Sequence, residues 1–348
     1  MFIPSTRPSP PPRPSGPDPS SAPTRAQTPD PAAWPAPDQV DVRLVVADMD
    51  GTLLDGDKRL PDGLWPLLDA MEARGITFAP ASGRQYATLR RMFDRVAAGM
   101  TVIAENGAVV MRDDTELYTA PLDLPTVLDA IRRTRAAPLS TGLDRVGETS
   151  LAGGGPIGQG GPRGDGGLVV ACARTALVER SDPPFLEAAH PYYNDLTVVP
   201  DLVAALTGPD AAARGWTPVK LALFDFDDVT GPAEDVLGRF RDTHEVVISG
   251  RQWADLMRSG VDKADAVRAL QASLGVTAEQ TVAFGDYLND WGMLQASGLS
   301  FAMANGHPDL RAAARYVAPA NTEGGVLTVM RALLGTGTGT GTGTDAGK

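Results

Sequence analysis

Between two polar ends, short apolar runs alternate with amphipathic stretches along this chain. Residues 43–49 (RLVVADM) form a near-continuous apolar run, the pattern of a strand buried on both faces. Residues 61–74 read as a helix that Pro61 begins and Gly75 ends. A strand at 76–81, a helix at about 84–97 and a strand at 101–104 follow. The pattern resumes with a helix at 263–274, a strand at 281–285, a helix at 288–297, a strand at 299–303 and a helix at 307–315. This order predicts an α/β fold: an open, doubly wound parallel sheet with helices on both faces. Sites in such sheets form beyond the carboxyl ends of the strands.

The middle of the chain has a different character. Helical stretches at 124–135, 201–206 and 232–241 mix with strand-like ones at 168–178, 196–199, 219–226 and 245–249. The expected division is therefore sheet domain at 41–118 and 259–335, with a separate α+β domain inserted at 119–258. Residues 1–40 hold 13 prolines and little apolar periodicity, and 336–348 are a Gly/Thr repeat. Both are expected to be disordered, since neither can bury enough surface to offset its ordering entropy. Residues 152–167 (AGGGPIGQGGPRGDGG) read as a long loop; they do not join a strand to a helix as a phosphate-binding loop would.

Composition then removes some classes of function. No apolar run approaches the ~20 residues that span a bilayer. The net charge is −12 and no Lys/Arg cluster stands out, which argues against nucleic-acid binding. The same field would repel a phosphorylated metabolite, so a local cation must offset it wherever one binds. The lone Cys172 lies in an apolar run, reads as a buried core thiol and fits a reducing cytoplasm. The three histidines, His190, His244 and His307, lack metal-ligand spacing.

The candidate chemistry sits at the strand ends. Asp48 and Asp50 flank Met49 directly after the first strand, and Gly51 permits a turn that aims both carboxylates at one site. One carboxylate can act as a nucleophile and the other as general acid and base. Carboxylate oxygens also suit magnesium. Ser82-Gly83-Arg84 ends the second strand, where a hydroxyl and amides can take phosphate oxygens. Lys263 opens a helix and can place a cation on phosphate and nucleophile. In Gly285-Asp286-Tyr287-Leu288-Asn289-Asp290, Asp286 offers a further metal oxygen, with Asn289 and Asp290 placed to orient it. A second Asp pair, Asp225 and Asp227, also follows an apolar run but lacks the Gly-Thr-Leu sequel and reads as a strand of the insert.

Together, in this order, these segments resemble the four motifs of the haloacid dehalogenase (HAD) superfamily: DMDGTLLD, ASGR, the Lys263 region and GDYLND. Thr52 to Ser82 is 82 − 52 = 30 positions, too few for an inserted domain, whereas Ser82 to Lys263 is 263 − 82 = 181. That spacing, with Glu105-Asn106-Gly107-Ala108 and the stretch 302–326, resembles the Cof-type (IIB) branch over residues 42–334. The lysine departs slightly, standing before Ala264 where the branch more often has glycine.

The resemblance implies a C2B-type cap and a Mg2+-dependent phosphatase acting on sugar phosphates or similar small metabolites in the cytoplasm. Asp48 would be nucleophile and metal ligand. Asp50 would be the acid/base, with its carbonyl on the metal. Ser82, Gly83, Lys263 and Asn289 would hold phosphate, and Asp286 and Asp290 would complete the metal site. Thr52, Asn305 and Asn321 lie in matching motifs without an assigned role. A phosphomutase of the phosphomannomutase type, a flavin or flavin-precursor phosphatase and a non-catalytic phosphometabolite sensor remain as alternatives.

Overall fold

The computed structural model describes residues 28–96, 99–137 and 166–336. The expected loop at 152–167 and the Gly/Thr tail lie almost wholly outside them, as does the leader up to residue 27.

Eight strands build the first sheet: β1 (Leu44–Asp48), β2 (Thr77–Ala81), β3 (Thr101–Ala104), β4 (Val109–Arg112), β5 (Thr115–Thr119), β12 (Thr281–Gly285), β13 (Leu299–Met303) and β14 (Tyr316–Ala318). Their spatial order is β14-β13-β12-β1-β2-β3-β4-β5. All pairs from β14 to β3 are parallel, and β4 and β5 add an antiparallel edge. Strand alternation sorts the core into two layers. Val45, Ala47, Val282 and Phe284 face α1 (Leu64–Glu72), α2 (Tyr86–Met92) and α10 (Gly325–Leu334). Leu44, Val46, Ala283 and Ala302 face α7 (Lys263–Leu274), α8 (Trp291–Gln295) and α9 (Pro308–Ala313). Helices thus cover both faces, as the doubly wound reading expects.

Six strands build the second sheet, in the order β10-β11-β9-β6-β7-β8. They are β6 (Gly167–Cys172), β7 (Ala176–Val178), β8 (Leu196–Val198), β9 (Pro218–Phe224), β10 (His244–Ile248) and β11 (Trp253–Arg258). Only β7 and β8 run parallel. One face packs on α3 (Leu124–Ala136), α5 (Leu202–Thr207) and α6 (Thr230–Leu237) through Val170, Leu221, Leu223 and Leu256. The other face carries Val169, Ala222 and Phe224, packed with Phe185 of α4 (Pro183–Ala189). The expected strand through Asp225 and Asp227 stops at Phe224: Asp225 directly follows β9, and its carboxylate accepts from the Asp227 amide in a turn towards α6. Cys172 is buried in β6, where burial pushes its thiol up to about 12.

Three differences from the expected elements have physical reasons. Helix α1 starts at Leu64 rather than Pro61, because residues 61–63 form a turn closed by the Leu64 amide on the Pro61 carbonyl. The run 168–178 is two strands, since a reversal at Arg174 folds β7 back on β6. The 28–40 part of the expected leader is packed: Trp34 sits edge-on to Phe301 at 6.0 Å.

Candidate active site

Strand β1 delivers Asp48 at its end, and the chain then makes a wide turn at 49–53. Gly51 adopts φ +83°, a conformation costly for any residue with a Cβ. A Cβ there would also collide with the Asp286 carboxylate. The turn is clamped from outside. Asn305 Nδ2 donates to the Gly51 carbonyl at 2.8 Å, Asn321 Nδ2 donates to that of Leu54 at 2.9 Å, and the Asn321 amide donates to Asn305 Oδ1 at 2.9 Å. Thr52 Oγ1 donates to Asp286 Oδ1 at 3.1 Å. Thr52, Asn305 and Asn321 thus acquire a job the sequence alone left open: they hold the turn that carries Asp48 and Asp50.

Strand β12, paired directly with β1, ends beside it and brings in Asp286 and Asp290. Lys263, at the start of α7 and 1% exposed, reaches between them. Its Nζ donates to Asp48 Oδ1 and, at 2.6 Å, to Asp290 Oδ1. Asp290 Oδ2 accepts from the Asp286 amide at 3.0 Å and the Tyr287 amide at 3.2 Å. Oxygens of Asp48, Asp286 and Asp290 lie within 4.8 Å of one another. With both Asp290 oxygens already engaged, Asp48 and Asp286 have the greater free capacity for a cation.

Charge crowding shows in the titration of this group. Burial, then the Asp290 charge, pushes Asp48 well above the ordinary carboxylate range, against the pull of Lys263. Burial and Asp290 raise Asp286 to about 6. Burial alone would lower the Lys263 ammonium, but Asp290 and Asp48 outweigh it and raise it. One cation among three carboxylates leaves excess negative charge, which a bound metal would relieve.

Beyond β2, Ser82 is buried and its Oγ accepts from the Arg84 amide at 3.2 Å. Arg84 itself was not among the expected functional residues. Its guanidinium makes a bidentate pair with Asp50, Nη2 lying 2.8 Å from each carboxylate oxygen. The GR that ends the second motif was the available signal, because a planar fork suits a carboxylate. The structure thus gathers Asp48, Lys263, Asp286 and Asp290 in one contact set and joins Asp50 to the 82–84 loop. Asn289 stands exposed on its turn, outside those contacts. His307 caps α9, accepting from the Asp309 amide, and His244 pairs with Asp123, the cap of α3.

The family model of haloacid dehalogenase-like hydrolases matches residues 45–140 and 219–330, which include every one of these groups. The chain belongs to this hydrolase family. Over 300 residues it is 27% identical to the 5-amino-6-(5-phospho-D-ribitylamino)uracil phosphatase YbjI of Escherichia coli, covering 85% of this chain and 97% of that one. Over 270 residues it is 26% identical to the HMP-PP phosphatase of Cronobacter sakazakii, covering 78% and 87%. A haloacid dehalogenase-like hydrolase from Bacteroides thetaiotaomicron superposes with a TM-score of 0.64 at 21% identity, covering 83% of this chain and 98% of that one, and so shares the fold. Family and relatives together make this chain a phosphatase of small phosphate monoesters. No helix among the described residues is long and apolar enough to cross a membrane.

Proposed function

We propose that hydrolysis proceeds through a phospho-aspartate on Asp48, in a Mg2+-dependent cytoplasmic enzyme whose residues 119–258 act as a cap over the sheet domain. The observation that carries this is the meeting of Asp48, Asp286 and Asp290 around the buried Lys263, at the ends of two adjacent strands.

The donor set fits magnesium: three carboxylates, all hard oxygen ligands, with two of them pushed up by burial and mutual repulsion. Asp48, Asp286 and Asp290, with the Asp50 carbonyl, would hold it. Bound there, the metal would neutralise charge on the phosphoryl oxygens.

Asp48 attacks phosphorus, so that an Oδ–P bond forms as the bond to the leaving oxygen breaks. Asp50 gives that oxygen a proton, then takes one from water, whose oxygen displaces Asp48 and releases phosphate. An ammonium has three N–H donors. Two on Lys263 go to Asp48 and Asp290, leaving one for a phosphate oxygen. The Ser82 hydroxyl, the Gly83 amide and Asn289 would supply others. Arg84 grips both Asp50 oxygens, so this pair opens before Asp50 carries a proton.

Within this class, a leaving group with a planar heterocycle has specific support. Tyr192, half-exposed, stands against Trp253 with ring centroids 5.6 Å apart, and Trp253 rests in turn on the buried Phe224 at 4.7 Å. The Tyr192 carbonyl accepts from Thr88 Oγ1 at 3.0 Å and from the Gln85 amide at 3.4 Å, which sets Tyr192 next to the loop at 82–84. The Escherichia coli relative named above acts on a substituted uracil.

The test is phosphate release across sugar phosphates, nucleotides, flavin mononucleotide and ribitylaminouracil phosphate. It is run with Mg2+, with chelator, and with Asp48→Asn. Mg2+-dependent turnover that the variant loses, by roughly a thousandfold or more, is expected. Equal turnover by the variant would remove Asp48 as nucleophile. No turnover on any compound by folded protein would favour a mutase or a sensor.

A further inference from the structure

A second buried lysine lies outside this chemistry. Lys220 is on β9 and only 3% exposed, yet its Nζ crosses to the other sheet. It donates to the Gly83 carbonyl at 2.9 Å and lies 2.6 Å from Glu105 Oε2. Tyr193, also on the cap, places its ring 5.5 Å from the same Nζ. Asp255 of β11, 6% exposed, adds a second negative charge close to it.

Glu105 is wholly buried, and its Oε2 pairs with the Lys220 ammonium at 2.6 Å. Neither Glu105 oxygen has another hydrogen-bond partner among the described residues. Lys220 is thus the compensation for that charge. Burying such a pair is poor value for stability alone, since apolar replacements of both members often do as well. Its location points elsewhere. Glu105 and Asn106 hold φ +51° and +56°, left-handed conformations that non-glycine residues adopt only when their surroundings impose them. The Asn106 amide donates to the Ser82 carbonyl at 2.9 Å, and the Glu105 amide to that of Arg84 at 3.1 Å. The strained turn and the phosphate loop are therefore one unit, which Lys220 grips on both parts from the opposite sheet.

We propose that Lys220 is a positioning residue. By holding the Gly83 carbonyl and the Glu105 carboxylate, it sets the Ser82–Arg84 loop in its phosphate-binding shape only while the cap is docked, coupling cap closure to phosphate capture. This rests on the phosphatase reading for its catalytic consequence, but not for its structural one.

The experiment uses the full chain with Lys220→Met/Glu105→Gln, which removes both charges together. Asp255 can take a proton once the lysine is gone, because burial already pushes its carboxyl up. Lys220→Arg, which keeps the charge, is the second variant. Amide hydrogen exchange across 82–86 and 103–108 is read beside kcat/KM for p-nitrophenyl phosphate and a sugar phosphate. In the double variant, exchange in those segments is expected to rise about tenfold while the sheet strands stay protected. Its kcat/KM should fall roughly ten- to a hundredfold, by the same factor for both substrates, with Lys220→Arg recovering part of the loss. Unchanged exchange and turnover in folded protein would overturn the proposal. So would a loss that differs between the substrates, which would put Lys220 on the leaving group instead. If the wild type releases no phosphate, the phosphatase reading fails by itself, and the exchange arm alone decides the role of Lys220.

Discussion

The two sheets solve different problems. In the eight-stranded sheet the central strands are buried on both faces and run parallel, so their carboxyl ends converge and β1 and β12 can set Asp48 and Asp286 side by side. In the six-stranded sheet α3, α5 and α6 cover one face, and the other, which also carries α4, turns Lys220 to the first sheet's loops. Each region places a buried lysine against carboxylates, Lys263 from the start of α7 and Lys220 from β9. Lys263 serves groups proposed to touch phosphate directly, whereas Lys220 serves the backbone that presents them. On the proposed reading, chemistry is concentrated in the first sheet, and Lys220 of the second steadies the backbone around it.

The sharpest way to break this contrast is to remove each lysine. Lys263→Met leaves Asp48 and Asp290 buried without their partner. It should cost about 3–5 kcal/mol of stability and nearly all turnover, as read by denaturant unfolding and phosphate release. Lys220→Met/Glu105→Gln should leave stability nearly unchanged. Equal destabilisation by the two would erase the distinction.

Next in size is Gly51→Ala. The added Cβ meets the Asp286 carboxylate at a φ only glycine adopts easily. A loss of about 1–3 kcal/mol and a marked weakening of Mg2+ activation are expected. Unfolding and Mg2+ titrations measure both.

The acidic cluster predicts opposite pH responses with and without metal. Asp286, raised to about 6, binds its proton more readily folded than unfolded. The metal-free protein should therefore gain stability as pH falls from above 6 towards 4, and gain no more from this group below that. Asp48, raised likewise, adds in the same direction. Mg2+ competes for the same oxygens, so its apparent affinity should weaken below about pH 6. Melting temperatures at matched pH, with chelator and with Mg2+, should converge as pH drops. Parallel curves would show that Asp286 is not a ligand.

The smallest effect is expected at Tyr192. Tyr192→Ala removes one edge of the aromatic group, and Tyr192 is 45% exposed, so folding should hardly change. Turnover of a heterocyclic phosphate should drop by a fewfold to tenfold, as expected for about 0.5–1.5 kcal/mol of ring contact. Turnover of p-nitrophenyl phosphate in the same assay should fall less than that of an extended heterocycle.

Much of the first sheet was readable along the chain. Strands β12 and β13 and helix α7 stand at the expected residues, because continuous apolar runs and capped amphipathic stretches are local signals. Strands β4, β5, β11 and β14 and helices α4 and α10 fall outside the elements that the sequence predicts, several of them being short or at an edge. Asp48, Asp50 and Asp286 could be named because each short motif packs its residue types within a few positions, and Lys263 because it opens a helix between the second and fourth motifs. Arg84 was visible as a letter, but its pairing with Asp50 was not, since the two are separated by 34 positions.

The sequence by itself determined the fold class, the family and the acidic motifs, all of which depend on periodicity and short-range spacing. Only the tertiary structure decided that Lys263 bridges Asp48 to Asp290, that Asn305 and Asn321 clamp the Gly51 turn, and that Lys220 reaches Gly83 from another sheet. Those contacts join residues 27 to 267 positions apart. A charge or carbonyl is matched to its partner by distance and burial in space, and spacing along the chain carries no record of either.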